Sequence, residues 1–257
     1  MTDLDDDDLF ESARAPTRWP AQHGVPSTLH ELRDVLIDYE HQRPRSQQVA
    51  LGPSELGTPC AQQIARKLAA GPQPPAQEPA WAPFQGTAVH NSMTDVIRFW
   101  NAREGRERWL PIARLQVADD ITGEADAYDT DHETVVDWKH VGVTALKELR
   151  DKGTVSPEYR VQAHLYGRGY ELLGRRVRAV RLVLLARSWK FDDSEEWTEP
   201  YNRTLALEAI ERYRQIKAHM DAGGSVLDVR ATPSSKCWWC PFRRPGQLTD
   251  ENGCPGK

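Results

Sequence analysis

Residues 177–186, Val-Arg-Ala-Val-Arg-Leu-Val-Leu-Leu-Ala, constrain the fold more than any other stretch. A run this short and this apolar reads as a strand buried on both faces, with Arg178 and Arg181 interrupting it. A strand of that kind needs helices above and below. One precedes it directly: Pro157 to Leu173 has proline in its first turn and Gly174 just past its end. Three alternating segments lie further upstream, Trp109 to Val117, Thr122 to Tyr128 and Thr134 to Lys139, parted by Asp119-Asp120 and Asp129-Thr130-Asp131. They predict an antiparallel meander. The sum is an α/β chain with a mixed central sheet flanked by helices.

The 257 residues suit one large domain with a small appendage. Residues 1–26 mix an acidic run, Asp3 and Asp5 to Asp8, with prolines, and read as a flexible tail. Thr28 to Glu31 has the form of a capping box, and Leu29, Leu32, Val35, Leu36 and Tyr39 follow at helical spacing, predicting a helix over 28–41. Cys60 stands at the mouth of a short helix that stops at Gly71. Residues 71–83 carry too many prolines for regular structure and read as a linker or lid. Helices are expected over 86–103, 142–151 and 204–220, and an edge hairpin or loop over 188–202. The expected domains are the tail 1–26, a helical region 27–85, a core 86–222 and a cysteine-rich segment 223–257.

No apolar run is long enough to span a bilayer and no leader is visible, so a cytoplasmic protein with no membrane partner is expected. The net charge of -5 does not advertise a nucleic-acid binder. A local basic run, Arg175, Arg176, Arg178 and Arg181, could still track phosphates; a solvated corner explains it about as well.

The chemistry gathers along the meander. Asp137 and Lys139 are two residues apart in a strand and therefore share a face, while Val136 and Trp138 supply burial on the other. Alone, that pair is commonly a surface ion pair. Here it keeps company with Asp126 in Gly123-Glu124-Ala125-Asp126, with His90 on a preceding helix, and with Gln162 and Tyr166, one helical turn apart on a following one. Two carboxylates, a histidine and a lysine suit metal-assisted attack of water on a phosphodiester, with Mg2+ or Mn2+ on the carboxylates. The backbone carbonyl of Trp138 is a further candidate ligand. Lys139 would orient or deprotonate the water, or stabilise charge in the transition state.

In order and residue type these motifs resemble the PD-(D/E)xK nuclease superfamily, and within it the RecB-like exonucleases of phages and of the CRISPR-associated type-four Cas family. The resemblance covers roughly residues 50–257. Gly86 to His90 is similar to the family's Gly-to-His helix motif, Gly123 to Asp126 to its first carboxylate motif, Asp137 to Lys139 to its acid-x-Lys motif, and Gln162 to Tyr166 to its Gln-x-x-x-Tyr motif. The first carboxylate motif lacks the proline that names the superfamily. The resemblance implies a restriction-endonuclease-like core. It also implies that His90, Asp126 and Asp137 bind the metal, that Lys139 is catalytic, and that Gln162 and Tyr166 line the DNA site. The implied activity is a DNA exonuclease, on single-stranded ends, in phage or prokaryotic recombination, repair or DNA processing. A homo-oligomer or partner proteins of recombination or spacer acquisition would fit it. A non-catalytic adaptor that binds DNA or protein with the same fold is the alternative.

Four cysteines remain. Cys237 and Cys240 form a Cys-x-x-Cys, Cys254 follows, and Cys60 lies far upstream. The residues alone suggest structural zinc, with an iron-sulfur cluster also open and a zinc-stapled nucleic-acid-binding module as its bland form. One cysteine upstream of the core and three at the C-terminus is the family layout that carries a 4Fe-4S cluster, so the resemblance implies a C-terminal iron-sulfur clasp. Trp238 and Trp239 would pack around that metal or stack on bases.

Overall fold

One mixed sheet of five strands, in the order β1-β2-β3-β4-β5, organises the computed structural model: β1 (Trp109–Ala118), β2 (Ile121–Asp129), β3 (Thr134–Val141), β4 (Ala179–Ala186) and β5 (Glu195–Pro200). The described residues are 28–42, 51–69, 79–118, 120–188, 190–251 and 253–256. They fall into two units, Met1–Ser46 with Pro75–Ala80, and Gln47–Pro74 with Trp81–Lys257. In the first, helix α1 (Thr28–Gln42) matches the expected span, and its apolar residues Leu29, Leu32, Val35 and Tyr39 are exposed. The expected tail over 1–26 lies outside the described residues, as does most of the proline-rich stretch.

The second unit holds the sheet. β1, β2 and β3 pair antiparallel, as the turn signals between them require, whereas β3 and β4 run parallel. A parallel neighbour needs a crossover, which helices α5 (Val143–Lys152) and α6 (Pro157–Leu172) provide. These elements follow α2 (Pro53–Leu56), α3 (Ala61–Ala69) and α4 (Trp81–Glu104), and α7 (Arg203–Asp221) comes after β5. Among the described residues no helix is long and apolar enough to cross a membrane.

The strand alternation sorts the sheet into two cores. On one face Val135, Val180, Leu182 and Leu184 pack with Leu165, Tyr166 and Tyr170 of α6 and Ile210 and Tyr213 of α7. On the other, Val136, Trp138 and Leu185 pack with Val89, Met93 and Ile97 of α4. Layers on both faces are what the run at 177–186 asked for. The two faces of β4 are unequal, however: Val180, Leu182 and Leu184 are buried, while Arg181 is half-buried and donates from Nε to Thr198 Oγ1 at 3.0 Å.

Two expected boundaries are corrected. α4 begins at Trp81 rather than Gly86, so Pro83 lies inside its first turn. The first-turn amides of a helix have no intrahelical acceptor, and a proline there loses nothing. Residues 188–202 resolve into a 3-10 turn, Phe191–Asp193, and the edge strand β5, antiparallel to β4.

His164 locks α6 to the end of β5 and the start of α7. Fully buried, it accepts the Asn202 N–H on Nδ1 at 3.1 Å, which leaves its proton on Nε2 to donate to Glu199 Oε1. Asn202 in turn caps α7 by accepting the Leu205 N–H at 3.1 Å. Burial holds the imidazole below its ordinary pKa, ahead of the opposing pull from Glu199. Burial also pushes the Glu199 carboxyl up, but hydrogen bonds from Arg160 and His164 outweigh it and leave it low. With a depressed imidazole pKa in the folded state, the unfolded chain binds more protons below about pH 6.5. Stability is therefore complete above that pH and declines below it, and Glu199 adds a further loss as pH falls through the carboxylate range. Denaturant unfolding as a function of pH should show a His164 contribution with a slope of at most about 1.4 kcal/mol per pH unit below pH 6.5. His164→Gln, which keeps one donor and one acceptor, should flatten that part of the curve; an unchanged curve would sink the assignment.

Candidate active site

β2 and β3 stay paired only from Ala127↔Val136 to Asp129↔Thr134. Past that point the strands part. Asp126 and Asp137 are the first residues beyond the last pair, so both carboxylates lie at the opening. The Trp138 N–H points into the gap and donates to Asp126 Oδ2 at 2.8 Å, a side-chain oxygen standing where a β2 carbonyl would otherwise be. In a strand the N–H and C=O of one residue leave by the same edge, so the Trp138 carbonyl faces the gap too. Asp126 Oδ1 meets His90 Nδ1 at 2.6 Å. His90 comes from α4, which packs on the face of Val136 and Trp138.

Asp137 is almost fully buried, and its carboxyl is pushed up to about 7 by that burial, with Lys139 pulling it down and the Asp126 charge adding to the rise. Lys139 Nζ forms an ion pair with Asp137 Oδ2 and sits 5.1 Å from the centre of the Tyr159 ring. Beyond that ion pair, Asp137 Oδ2 has no hydrogen-bond partner. Two buried acids side by side with one lysine beside them fit a further cation. Among the described residues, no three His, Cys, Asp or Glu side chains already close on one point. His90 is spent on Asp126 in this arrangement.

α6 runs alongside the acids. Its Tyr159 stacks against Lys139 and its Tyr166 packs at Gly123 of β2, with Gln162 between them. The expected amide and phenol are buried and bonded to each other, Gln162 Nε2 donating to Tyr166 Oη at 2.9 Å. Arg175, Arg176 and Arg178 are not brought to this site. Arg176 and Arg178 pair with Glu133, at the Thr134↔Ala179 end of β3. Asp137 and Lys139 are three and five residues further along, about 10–17 Å at strand rise.

The four cysteines do converge. Cys60, Cys237, Cys240 and Cys254 line one cavity with Thr58, Lys236 and Arg243, and all four are unpaired thiols. Burial raises the Cys240 thiol pKa, and the other three sulfurs add to the rise. The thiols ring the cavity without three of them meeting at a point. Arg212 of α7 donates to Leu56 O at 2.7 Å and Thr58 O at 2.6 Å, steadying the turn that leads into Cys60. Trp239 is exposed, and Trp238 stacks under Arg243, 4.4 Å from its guanidinium carbon.

Sequence reading missed Tyr159, Arg66 and Arg212. None carries a local signal, since their partners lie 20 to more than 180 residues away. Arg66, in a helix rich in Ala and Gln, is buried.

A sequence profile for the PD-(D/E)XK nuclease superfamily matches residues 34–244. No curated protein matches the chain. Among solved structures, it is similar to an alkaline exonuclease from Laribacter hongkongensis, with 13% identity and a TM-score of 0.49 over 70% of this chain and 91% of that one. A structure titled LHK-Exo in complex with dAMP gives 14% identity and a TM-score of 0.41 over 66% and 91%. A phage related exonuclease from Haemophilus somnus 129PT gives 12% identity and a TM-score of 0.40 over 54% and 70%.

Gly123 carries the close approach of α2 and α6 to β2. A Cβ there would lie 2.7 Å from Pro53 Cδ and Cγ and 3.1 Å from Tyr166 Cε1, and the proline ring cannot rotate away. Gly123→Ala should destabilise the protein by about 1–3 kcal/mol. Adding Pro53→Ala should recover part of the loss in thermal unfolding; strict additivity of the two changes would show that the contact is not the cause.

Proposed function

The chain belongs to the PD-(D/E)XK nuclease superfamily, and on that premise we propose that it is a metal-dependent DNA exonuclease that hydrolyses phosphodiester bonds, acting on single-stranded ends. The observation that carries this reading is the pair of buried acids at the parting of β2 and β3, with the Lys139 ammonium paired to Asp137. Asp126, Asp137 and the Trp138 carbonyl would hold Mg2+ or Mn2+, and His90 either joins them or orients Asp126. When bound, such a cation supplies a Lewis acid for the phosphate and lowers the pKa of an attacking water.

The protein's own groups do the rest. Lys139 holds a positive charge at the mouth of the acid pair, steadied by the Tyr159 ring, where it orients water or offsets negative charge growing on the phosphate. The Gln162–Tyr166 hydrogen bond, buried beside β2, would hold this part of α6 in place next to the acids. The same reading has DNA as the partner and the cytoplasm as the place of action.

We propose also that Cys60, Cys237, Cys240 and Cys254, which line one cavity, would hold a 4Fe-4S cluster. Four cysteines on one cavity are the ligand set of such a cluster, as they are of structural zinc. The cluster would clasp the C-terminal segment to the turn between α2 and α3 and take no part in hydrolysis.

The test is digestion of DNA labelled at either end, single- and double-stranded, by anaerobically purified protein with added manganese. Asp137→Ala and Lys139→Ala should each lower the rate at least about a hundredfold while the protein stays folded, and a chelator should abolish it. If folded wild-type protein cuts no substrate, or if the variants cut as well as wild type, the catalytic reading fails.

A further inference from the structure

Cys254 reaches the cavity by an indirect route. Residues 241–253 separate it from Cys240, and this loop has little apolar content to bury it. What holds the loop comes from elsewhere in the chain. Arg66, on α3, is 3% exposed, and its guanidinium donates to three carbonyls of the segment just ahead of the cysteine. Nη1 donates to Glu251 O at 2.9 Å, and Nη2 to Asp250 O at 2.6 Å and Gly253 O at 3.0 Å. Its remaining bonds go to Gln62 Oε1, at 3.4 Å from Nε and 3.2 Å from Nη2. Gln62 is itself fixed, donating to Val226 O at 3.2 Å and Val229 O at 3.1 Å.

The other side of Cys254 is also held. Its N–H donates to Phe242 O at 3.1 Å and its carbonyl accepts the Arg244 N–H at 2.8 Å. Gly253 is pressed so close to that segment that a Cβ would lie 2.7 Å from Phe242 O. The cysteine is thus pinned between its own upstream chain and a buried guanidinium. All of Arg66's hydrogen bonds run to neutral oxygens. Burying a cation among neutral acceptors is costly unless its donors are well used, and here the planar fork reaches four separate oxygens.

We propose that Arg66 is the positioning residue that delivers Cys254 to the cavity as its fourth thiolate, by shaping the backbone of residues 250–253. The inference rests on the reading of the cavity as a metal-binding site. Lysine cannot replace it, because a compact ammonium on a flexible stem does not span carbonyls on successive residues in a fixed plane.

The experiment compares anaerobically purified full-length wild type, Arg66→Met, Arg66→Lys, Cys254→Ala and the Arg66→Met/Cys254→Ala double variant. The readouts are iron and sulfide per chain, the visible spectrum, and the electron paramagnetic resonance signal after mild ferricyanide oxidation. Wild type should hold a four-iron cluster that resists oxidation. Cys254→Ala should give the three-iron signal, and Arg66→Met the same signal, with iron released to a chelator about 10–100-fold faster than from wild type. Arg66→Lys should fall between. The double variant should be no worse than Cys254→Ala, since both changes act through one ligand. The proposal is overturned if Arg66→Met keeps the wild-type spectrum and release rate. It is equally overturned if the double variant loses the cluster that Cys254→Ala retains, which would mark Arg66 as general support for the fold. Should Arg66→Met not fold, Arg66→Lys is judged by the same criteria. Wild type with zinc in place of iron and sulfide would refute the cluster but not Arg66, whose role is then read from zinc release in the same variants. Wild type without metal would refute both.

Discussion

The candidate site depends on one unpaired peptide group. Where β2 and β3 part, the Trp138 N–H would be left without an acceptor in the interior of the sheet, and a buried orphan donor costs about 1–3 kcal/mol. Asp126 removes that cost by offering a carboxylate oxygen in place of a strand carbonyl. The same bond fixes the acid at the opening, beside Asp137. Local stability and the placing of the candidate carboxylate are here one interaction.

A second acid in that opening is unfavourable on its own, since burial and the charge of Asp126 both oppose ionisation of Asp137. Lys139 answers part of this, and the Tyr159 ring keeps the ammonium in place. The remaining unfavourable burial is tolerated because the scaffold around it is over-determined. Cores on both faces of the sheet hold β3, and the His164–Glu199–Asn202 bonds hold α6 against the end of β5. The superfamily's motif residues are therefore the visible part of an arrangement whose rigidity comes from residues that carry no motif.

The cysteine cavity obeys a related logic. Its thiols come from turns and short 3-10 segments, which have little cooperative stiffness of their own. Two arginines compensate, each hydrogen-bonding backbone carbonyls ahead of a cysteine distant from the Cys-x-x-Cys pair: Arg212 ahead of Cys60 and Arg66 ahead of Cys254. A guanidinium suits this task because its donors diverge in one plane.

From its residues alone, the chain determines the strand alternation, the meander, the crossover helices and the spacing that puts Asp137 and Lys139 on one face, because these arise from periods of 2 and 3.6 and from turn residues acting over a few positions. The motif order resembles that of the superfamily to which the profile match assigns the chain. Only the tertiary structure decided that β2 and β3 part after one short stretch of pairing and that Arg176 and Arg178 pair with Glu133 at the far end of β3. The gathering of four cysteines round one cavity, and the buried arginine that ties in the last of them, were likewise decided there. Those outcomes depend on contacts between residues tens to nearly two hundred positions apart, and no local periodicity encodes which distant carbonyl a guanidinium will meet.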